Sequence, residues 1–220
     1  MRMSLGRVGL PMVAVVLTMP VLLASETQDR SRTQGLKETD RFVKAGAATS
    51  QALTDGKLQL QKTLDAYNSL VTQPSKDMKG DYKKLLKSMD SMNSKVANAQ
   101  QKVDTMQKNG DVYFTGRADT IKNIQDPSLQ SQAQQRLKTN QEEFAGVLQS
   151  LRDAGAALEP FRKQLAYQIT YLGSDLTPSA MSSLKPQAER LNAQGSEVFT
   201  KTDQALAKAD SYFKGLRAET

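Results

Sequence analysis

The chain has 220 residues, enough for one domain or two small ones, with 5% aromatic residues and a formal net charge of +7. It contains no cysteine and no histidine. This composition excludes disulfides and catalytic triads with an imidazole base, and it removes the ligands on which most zinc, haem and copper sites depend. We therefore expect no cofactor and no metal, and the composition favours long, narrow helices over a broad core.

The first 25 residues have the layout of a secretory signal peptide. Two arginines give a basic start, an apolar stretch covers residues 8–23, and the small residues Ala24 and Ser25 follow. Because the apolar stretch is short and contains two prolines, a membrane-spanning helix is disfavoured. We predict a cleaved signal peptide over residues 1–25 and one helical domain over residues 26–220, with an uncleaved membrane anchor as the alternative.

Three proline-containing stretches divide the rest of the chain into four segments, at Pro74, Pro127 and Pro178. Asp126 and Thr177 can cap the helices that begin at the following proline, because proline is favoured at the first helical position. The predicted helices cover about residues 36–71, 75–125, 127–173 and 178–216.

Each segment carries one apolar stripe at three- and four-residue spacing, and none alternates with the period of two that strands require. In the second segment, "NSKVANAQQKVDTMQ" places Val96, Ala99, Val103 and Met106 on one face. The stripe of the first segment consists of Val43, Ala47, Leu53, Leu60, Leu64, Tyr67 and Val71. One helix alone cannot hide such a stripe from water, whereas four similar stripes can cover one another. Short connections make successive helices antiparallel neighbours. The sequence therefore predicts an all-α fold, an elongated antiparallel up-down four-helix bundle with coiled-coil-like packing.

Three residues are expected to disturb these helices. Gly110 and Gly116 lie inside the second segment, where each costs about 1 kcal/mol relative to alanine. Pro160 lies inside the third segment and is expected to kink it. The polar residues before Phe42 are expected to fray.

The second half of the chain contains "YFTGRADTIKNIQDPSLQSQAQQRL", then "LEPFRKQLAYQITYLGSDLTPSAMSSL" and "AKADSYF". This ordered set, over about residues 113–213, resembles a bacterial envelope family known only as a domain of unknown function, family 2959. The chain departs from the family pattern at Gly116, where the family often has tryptophan, and at Gly173 and Ser174, where it has a Lys-His pair. The resemblance implies an envelope location and a helical, coiled-coil character, and it implies no reaction.

A row of lysines gives the candidate binding site. "KDMKGDYKKLLK" is predicted to place four of them on one helical face: Lys76, Lys79, Lys83 and Lys87. Such a face can contact anionic lipid head groups or a polyanion, with up to about 1 kcal/mol per basic residue near an anionic surface. The commoner role of such a row is a solvated face paired with neighbouring acids, here Asp77 and Asp81.

The remaining candidates for chemistry have simpler explanations. Four methionines could bind Cu(I), but they occupy stripe positions and are expected to fill the core: Met78, Met89, Met92 and Met106. Tyr167 and Tyr171 are one helical turn apart and could line a pocket, although seam packing with the hydroxyls toward water is favoured. The adjacent Glu142 and Glu143 point apart on a helix, so they do not form an acid–base pair.

These observations predict an exported, non-catalytic protein of the periplasm or cell envelope with a structural or partner-binding role, and not an enzyme. Its partner would be an envelope protein or polymer, or a second copy of the chain. The alternative is a peripheral membrane module that uses the lysine row on anionic lipid. Nucleic acid is not expected, because an exported basic protein meets anionic lipid and envelope polymers first.

Overall fold

The computed structural model describes residues 21–218, with side chains from Thr33 onward, and shows four helices in this range. They are α1 (Val21–Thr72), α2 (Met78–Lys122), α3 (Pro127–Ser174) and α4 (Pro178–Ala218). Residues 1–20, which hold most of the predicted signal peptide, lie outside the described residues. The four predicted segments are confirmed as helices, and α2 begins at Met78 instead of residue 75.

The side chains just before α2, α3 and α4 cap these helices. Asp77 accepts a hydrogen bond from the Gly80 amide at 2.9 Å, and Asp126 accepts from the amides of Ser128 and Leu129. The Thr177 hydroxyl accepts from the Ala180 amide at 3.3 Å. Each cap supplies a partner to amides that a helix start leaves unsatisfied, which fixes where the helix begins. The predicted caps Asp126 and Thr177 are confirmed.

The helices form an antiparallel bundle in which neighbours in sequence are neighbours in space. Helix α1 packs against α2 and α4, and α3 packs against the same two helices from the other side. Within residues 21–218, the diagonal pairs α1–α3 and α2–α4 have no Cα atoms within 8 Å. The α1–α2 interface is the closest and the α2–α3 interface is the loosest. The predicted all-α, up-down four-helix bundle is confirmed.

Two apolar clusters fill the interior, one toward each end of the bundle. The first, the aromatic cluster, brings together six rings, those of Phe42, Tyr113, Phe114, Phe144, Tyr212 and Phe213. The Phe42 ring is fully buried, and its centroid lies 4.9 to 6.1 Å from the centroids of the other five. The second, the aliphatic cluster, surrounds the buried side chains of Tyr67, Leu85, Phe161 and Leu165.

The inward face of α1 agrees with the predicted stripe in its second half and differs from it near Ala47. Leu60, Leu64, Tyr67 and Val71 are buried, and Val43 and Leu53 pack partly buried against the aromatic cluster. Ala47 is exposed, and Phe42 and Ala45 are buried instead. Two threonines, Thr49 and Thr63, also occupy buried positions. Their hydroxyls bond carbonyls one turn earlier in α1 and also lie within 3.1 Å of carbonyls in α2. A buried hydroxyl with such partners avoids the cost of desolvation, so a threonine can sit in the seam.

The glycines that were expected to weaken α2 instead allow close packing, and α2 is continuous through both. A Cβ added at Gly110 would lie 2.7 Å from Phe144 Cε1 and 3.1 Å from Phe42 Cε2. The missing side chain therefore leaves the space that the aromatic cluster fills. Helix α3 is likewise continuous through Pro160.

We predict that Gly110→Ala destabilises the protein although alanine is the better helix former. The matched control is Gly215→Ala, because a Cβ there meets nothing within 4 Å. Both changes gain the same helix propensity, of about 1 kcal/mol. The difference between the free energies of unfolding of the two variants therefore measures the overpacking of the aromatic cluster. We expect this difference to be about 1–3 kcal/mol in urea denaturation. Equal stability of the two variants would contradict this packing role.

Candidate functional site

The four candidate lysines are exposed, and only three of them share a helix. Lys79, Lys83 and Lys87 follow one another at four-residue spacing near the start of α2, whereas Lys76 lies in the turn before the helix. The prediction that all four occupy one helical face is therefore wrong for Lys76, because the cap at Asp77 begins α2 after it. We call the other three the lysine face.

The expected partners of the lysine face are engaged elsewhere. Asp77 caps α2, and Asp81 forms an ion pair with Lys84 at 2.9 Å. A hydrogen bond from Ser75 and the pairing with Lys84 lower the pKa of Asp81 below its ordinary value. Within residues 33–218, no ion pair joins the three lysines of the face to an acid. Like charges at this spacing, close to the positive end of a helix, destabilise the helix.

The four candidate methionines pack in or against the apolar clusters, and the two candidate tyrosines are exposed to solvent. Met92 and Met106 are fully buried, one in each cluster, and Met78 and Met89 pack against the aliphatic cluster. Tyr167 is 69% exposed and Tyr171 is 42% exposed. In the described part of the chain, no group of three or more acidic side chains is placed to hold a metal ion.

One buried polar pair lies inside the aliphatic cluster. The Tyr67 hydroxyl donates a hydrogen bond to Gln168 Oε1, joining α1 to α3 across the bundle. Burial raises the pKa of Tyr67 well above its ordinary value, so this hydroxyl stays protonated and remains a donor at neutral pH. The pair fixes the relative position of two helices that share no close backbone contact.

A cleft of about 360 Å³ lies between the two clusters, where α2 and α3 pack most loosely. We call it the α2–α3 cleft. Helix α2 lines it with Asn93, Val96, Ala97, Ala99, Gln100 and Val103. Helix α3 lines it with Leu151, Ala154, Gly155, Leu158, Glu159 and Arg162. The exposed lining residues lie on these two helices, so the cleft opens between them, and its floor includes Leu60 of α1 and Val198 of α4.

The walls of the cleft are mainly apolar, with polar groups concentrated toward one end. At that end, Asn93 Oδ1 and Arg162 Nε are buried and have no hydrogen-bond partner. Another nitrogen of Arg162 bonds Glu159 at 3.3 Å. The Lys57 ammonium is held in an ion pair with Asp203 at 2.5 Å. Concave, mostly apolar sites of a few hundred cubic ångströms with a few polar groups are typical of small-molecule binding.

The sequence interpretation missed this cleft and the residues that line it. The available signal was a concentration of small residues halfway along the helices, in "DAGAAL" of the third segment and "KVANAQ" of the second. These stretches read as ordinary helix. Their alignment at one level of the bundle depends on the register between helices, which no single stripe reveals.

Four long helices with inward apolar faces and a central cleft define this molecule as a helical-bundle protein. The chain belongs to the DUF2959 family, described as a protein of unknown function, whose match covers residues 29–216. The resemblance over residues 113–213 is thus confirmed and extends to the first half of the chain. No curated protein and no solved structure matches the chain. No helix within residues 21–218 combines the length and the apolar character needed to cross a membrane.

Neighbouring side chains fill the space at two positions where the chain departs from the family pattern. The Glu38 carboxylate occupies the place that a side chain at Gly116 would take. The Tyr82 hydroxyl occupies the corresponding place beside Gly173, and it donates a hydrogen bond to the Ile169 carbonyl at 3.2 Å. A larger residue at either position would require these neighbours to move.

Proposed function

We propose that this protein is an exported, non-catalytic helical bundle of the bacterial cell envelope, with a structural or partner-binding role. The observation that carries the structural or partner-binding role is the shape of the bundle. Its helices have 41 to 52 residues, which corresponds to about 60–80 Å at 1.5 Å per residue, whereas two helices side by side measure only about 20 Å. A long, narrow bundle presents a large lateral surface, which suits extended contacts better than the enclosure of a reaction centre.

The side chains on the outer surface agree with this role. Five of the seven ion pairs described here join residues of the same helix one turn apart, and each has at least one exposed partner. Such pairs contribute about 0–1 kcal/mol and mark a solvated surface. The two pairs between helices, Lys57–Asp203 and Lys95–Asp55, join α1 to α4 and to α2. The hydrogen bond from Lys95 is the main reason why the pKa of Asp55 lies below its ordinary value.

We predict that the full chain, produced in a bacterium with a C-terminal tag, is recovered from the periplasm or envelope with a processed N-terminus at residue 25 or 26. The measurement is the mass of the purified protein from each cell fraction. A variant that lacks residues 2–23 should stay in the cytosol, because it lacks the apolar stretch of the signal peptide. Recovery of the intact chain from the cytosol, with Met1 still present, would contradict the proposal.

The second candidate function is binding to anionic lipid through the lysine face. It is favoured by the absence of ion pairs at Lys79, Lys83 and Lys87 within the described residues. Stability does not account for three like charges near a helix N-terminus, whereas an anionic surface would attract them.

We predict that Lys79→Glu, Lys83→Glu and Lys87→Glu together abolish the salt-sensitive flotation of the full chain with phosphatidylglycerol vesicles. The reason is the loss of about 1 kcal/mol of attraction per lysine, followed by repulsion of the new carboxylates. The matched control reverses three exposed lysines elsewhere, Lys108, Lys185 and Lys214, and changes the net charge equally. Equal flotation of both variants would show that the lysine face is not the binding surface.

A further inference from the structure

We propose that the α2–α3 cleft binds a single-chain anionic amphiphile, with the acyl tail in the cleft and the acidic head group at Arg162. The cleft measures about 360 Å³ and lies between the aromatic cluster and the aliphatic cluster. Volumes of about 300–1,000 Å³ with mostly apolar walls are typical of sites for small ligands. This ligand site does not depend on the envelope partner proposed above.

Two glycines keep space open in the cleft. Gly155 of α3 and Gly56 of α1 both line it, and a Cβ added at either would meet nothing within 4 Å. Glycine inside a helix destabilises it relative to alanine. At Gly110 and Gly195 this loss is explained, because neighbouring side chains pack into the space. At Gly56 and Gly155 no side chain uses the space, so a ligand in the cleft can occupy it.

Most polar groups of the cleft lie toward one end, as an amphiphile requires, although Gln100 lies in the other half. The antiparallel register brings Asn93 of α2 level with Arg162 of α3, whereas Val103 and Leu151 line the opposite end. The segment from Asn93 to Val103 is about 15 Å long at 1.5 Å per residue. An extended chain of about a dozen carbons spans this length, given carbon–carbon bonds of about 1.5 Å.

The head-group end offers a donor that the protein itself leaves unused. Arg162 Nε is buried without a hydrogen-bond partner. A buried donor without a partner is unfavourable, and a charge-assisted bond to a carboxylate would satisfy it. The exposed carboxylate of Glu159 forms an ion pair with the same guanidinium at 3.3 Å. Because a guanidinium has five donors, Arg162 can bond Glu159 and a ligand carboxylate together.

The tail site is tested by filling the cleft without disturbing the fold. We expect the full chain to bind dodecanoate saturably in isothermal titration calorimetry, and Gly155→Leu to weaken this binding at least about tenfold, a change that calorimetry resolves easily. The control is Gly215→Leu, which also replaces a helical glycine with open space around it but lies outside the cleft. Unchanged binding by Gly155→Leu would overturn the proposal, as would equal weakening by the control.

The head-group site is tested by comparing two ligands of equal chain length. We expect Arg162→Met to weaken dodecanoate binding about tenfold while leaving the binding of dodecanol, which has no charge, within about twofold of the original. A loss of affinity for both ligands would show that Arg162 only supports the walls, and would overturn the assignment of the head group.

A further variant separates the cleft from the lysine face. The triple reversal at Lys79, Lys83 and Lys87 should leave dodecanoate binding unchanged, because these residues do not line the cleft. A loss of dodecanoate binding in this variant would assign the anion to the surface and overturn the proposal. Failure of export would leave all three titrations unaffected, so the two proposals can fail independently.

Discussion

The packing of five aromatic rings around Phe42 is the interaction on which the bundle depends most. These rings come from α2, α3 and α4, so a single side chain of α1 contacts all three other helices. The close approach requires residues without side chains, and the Phe213 ring fills the space beside Gly46 as the Phe144 ring does beside Gly110. Aromatic contacts of this kind combine large buried area with favourable ring geometry. They fix the register of the four helices at one end.

The opposite end is fixed by the aliphatic cluster and by the bond between Tyr67 and Gln168. Because both ends of the bundle are packed, the helices keep a set separation between the clusters, even where their side chains do not fill the interior. Small residues such as Ala97, Ala154 and Gly155 lie at this level. The α2–α3 cleft is therefore a consequence of the two clusters: large side chains close the ends of the bundle and small ones leave its centre open.

The sequence predicted the features that depend on a local residue pattern. It did not predict the features that depend on the register between helices. The four helices, the caps at Asp126 and Thr177 and the fold class follow from periodicity and turn residues. In α1 the predicted stripe is buried at Leu60, Leu64, Tyr67 and Val71. Nearer the start of the helix, Phe42 and the polar Thr49 take the inward positions and Ala47 is exposed, because an apolar count passes over a threonine. The cleft was missed because its polar end joins Asn93 and Arg162 from different helices, and only the folded register brings them level.

Hydrogen–deuterium exchange of the full chain, with and without dodecanoate, tests most directly whether the bundle is closed at both ends and open between them. Exchange in a helix reports local opening, which is easier where fewer side chains pack. We expect slow exchange around Phe42 and Tyr67, and faster exchange in residues 93–103 and 151–162 that slows when dodecanoate is added. Uniform protection along α2 and α3, unaffected by dodecanoate, would contradict this expectation.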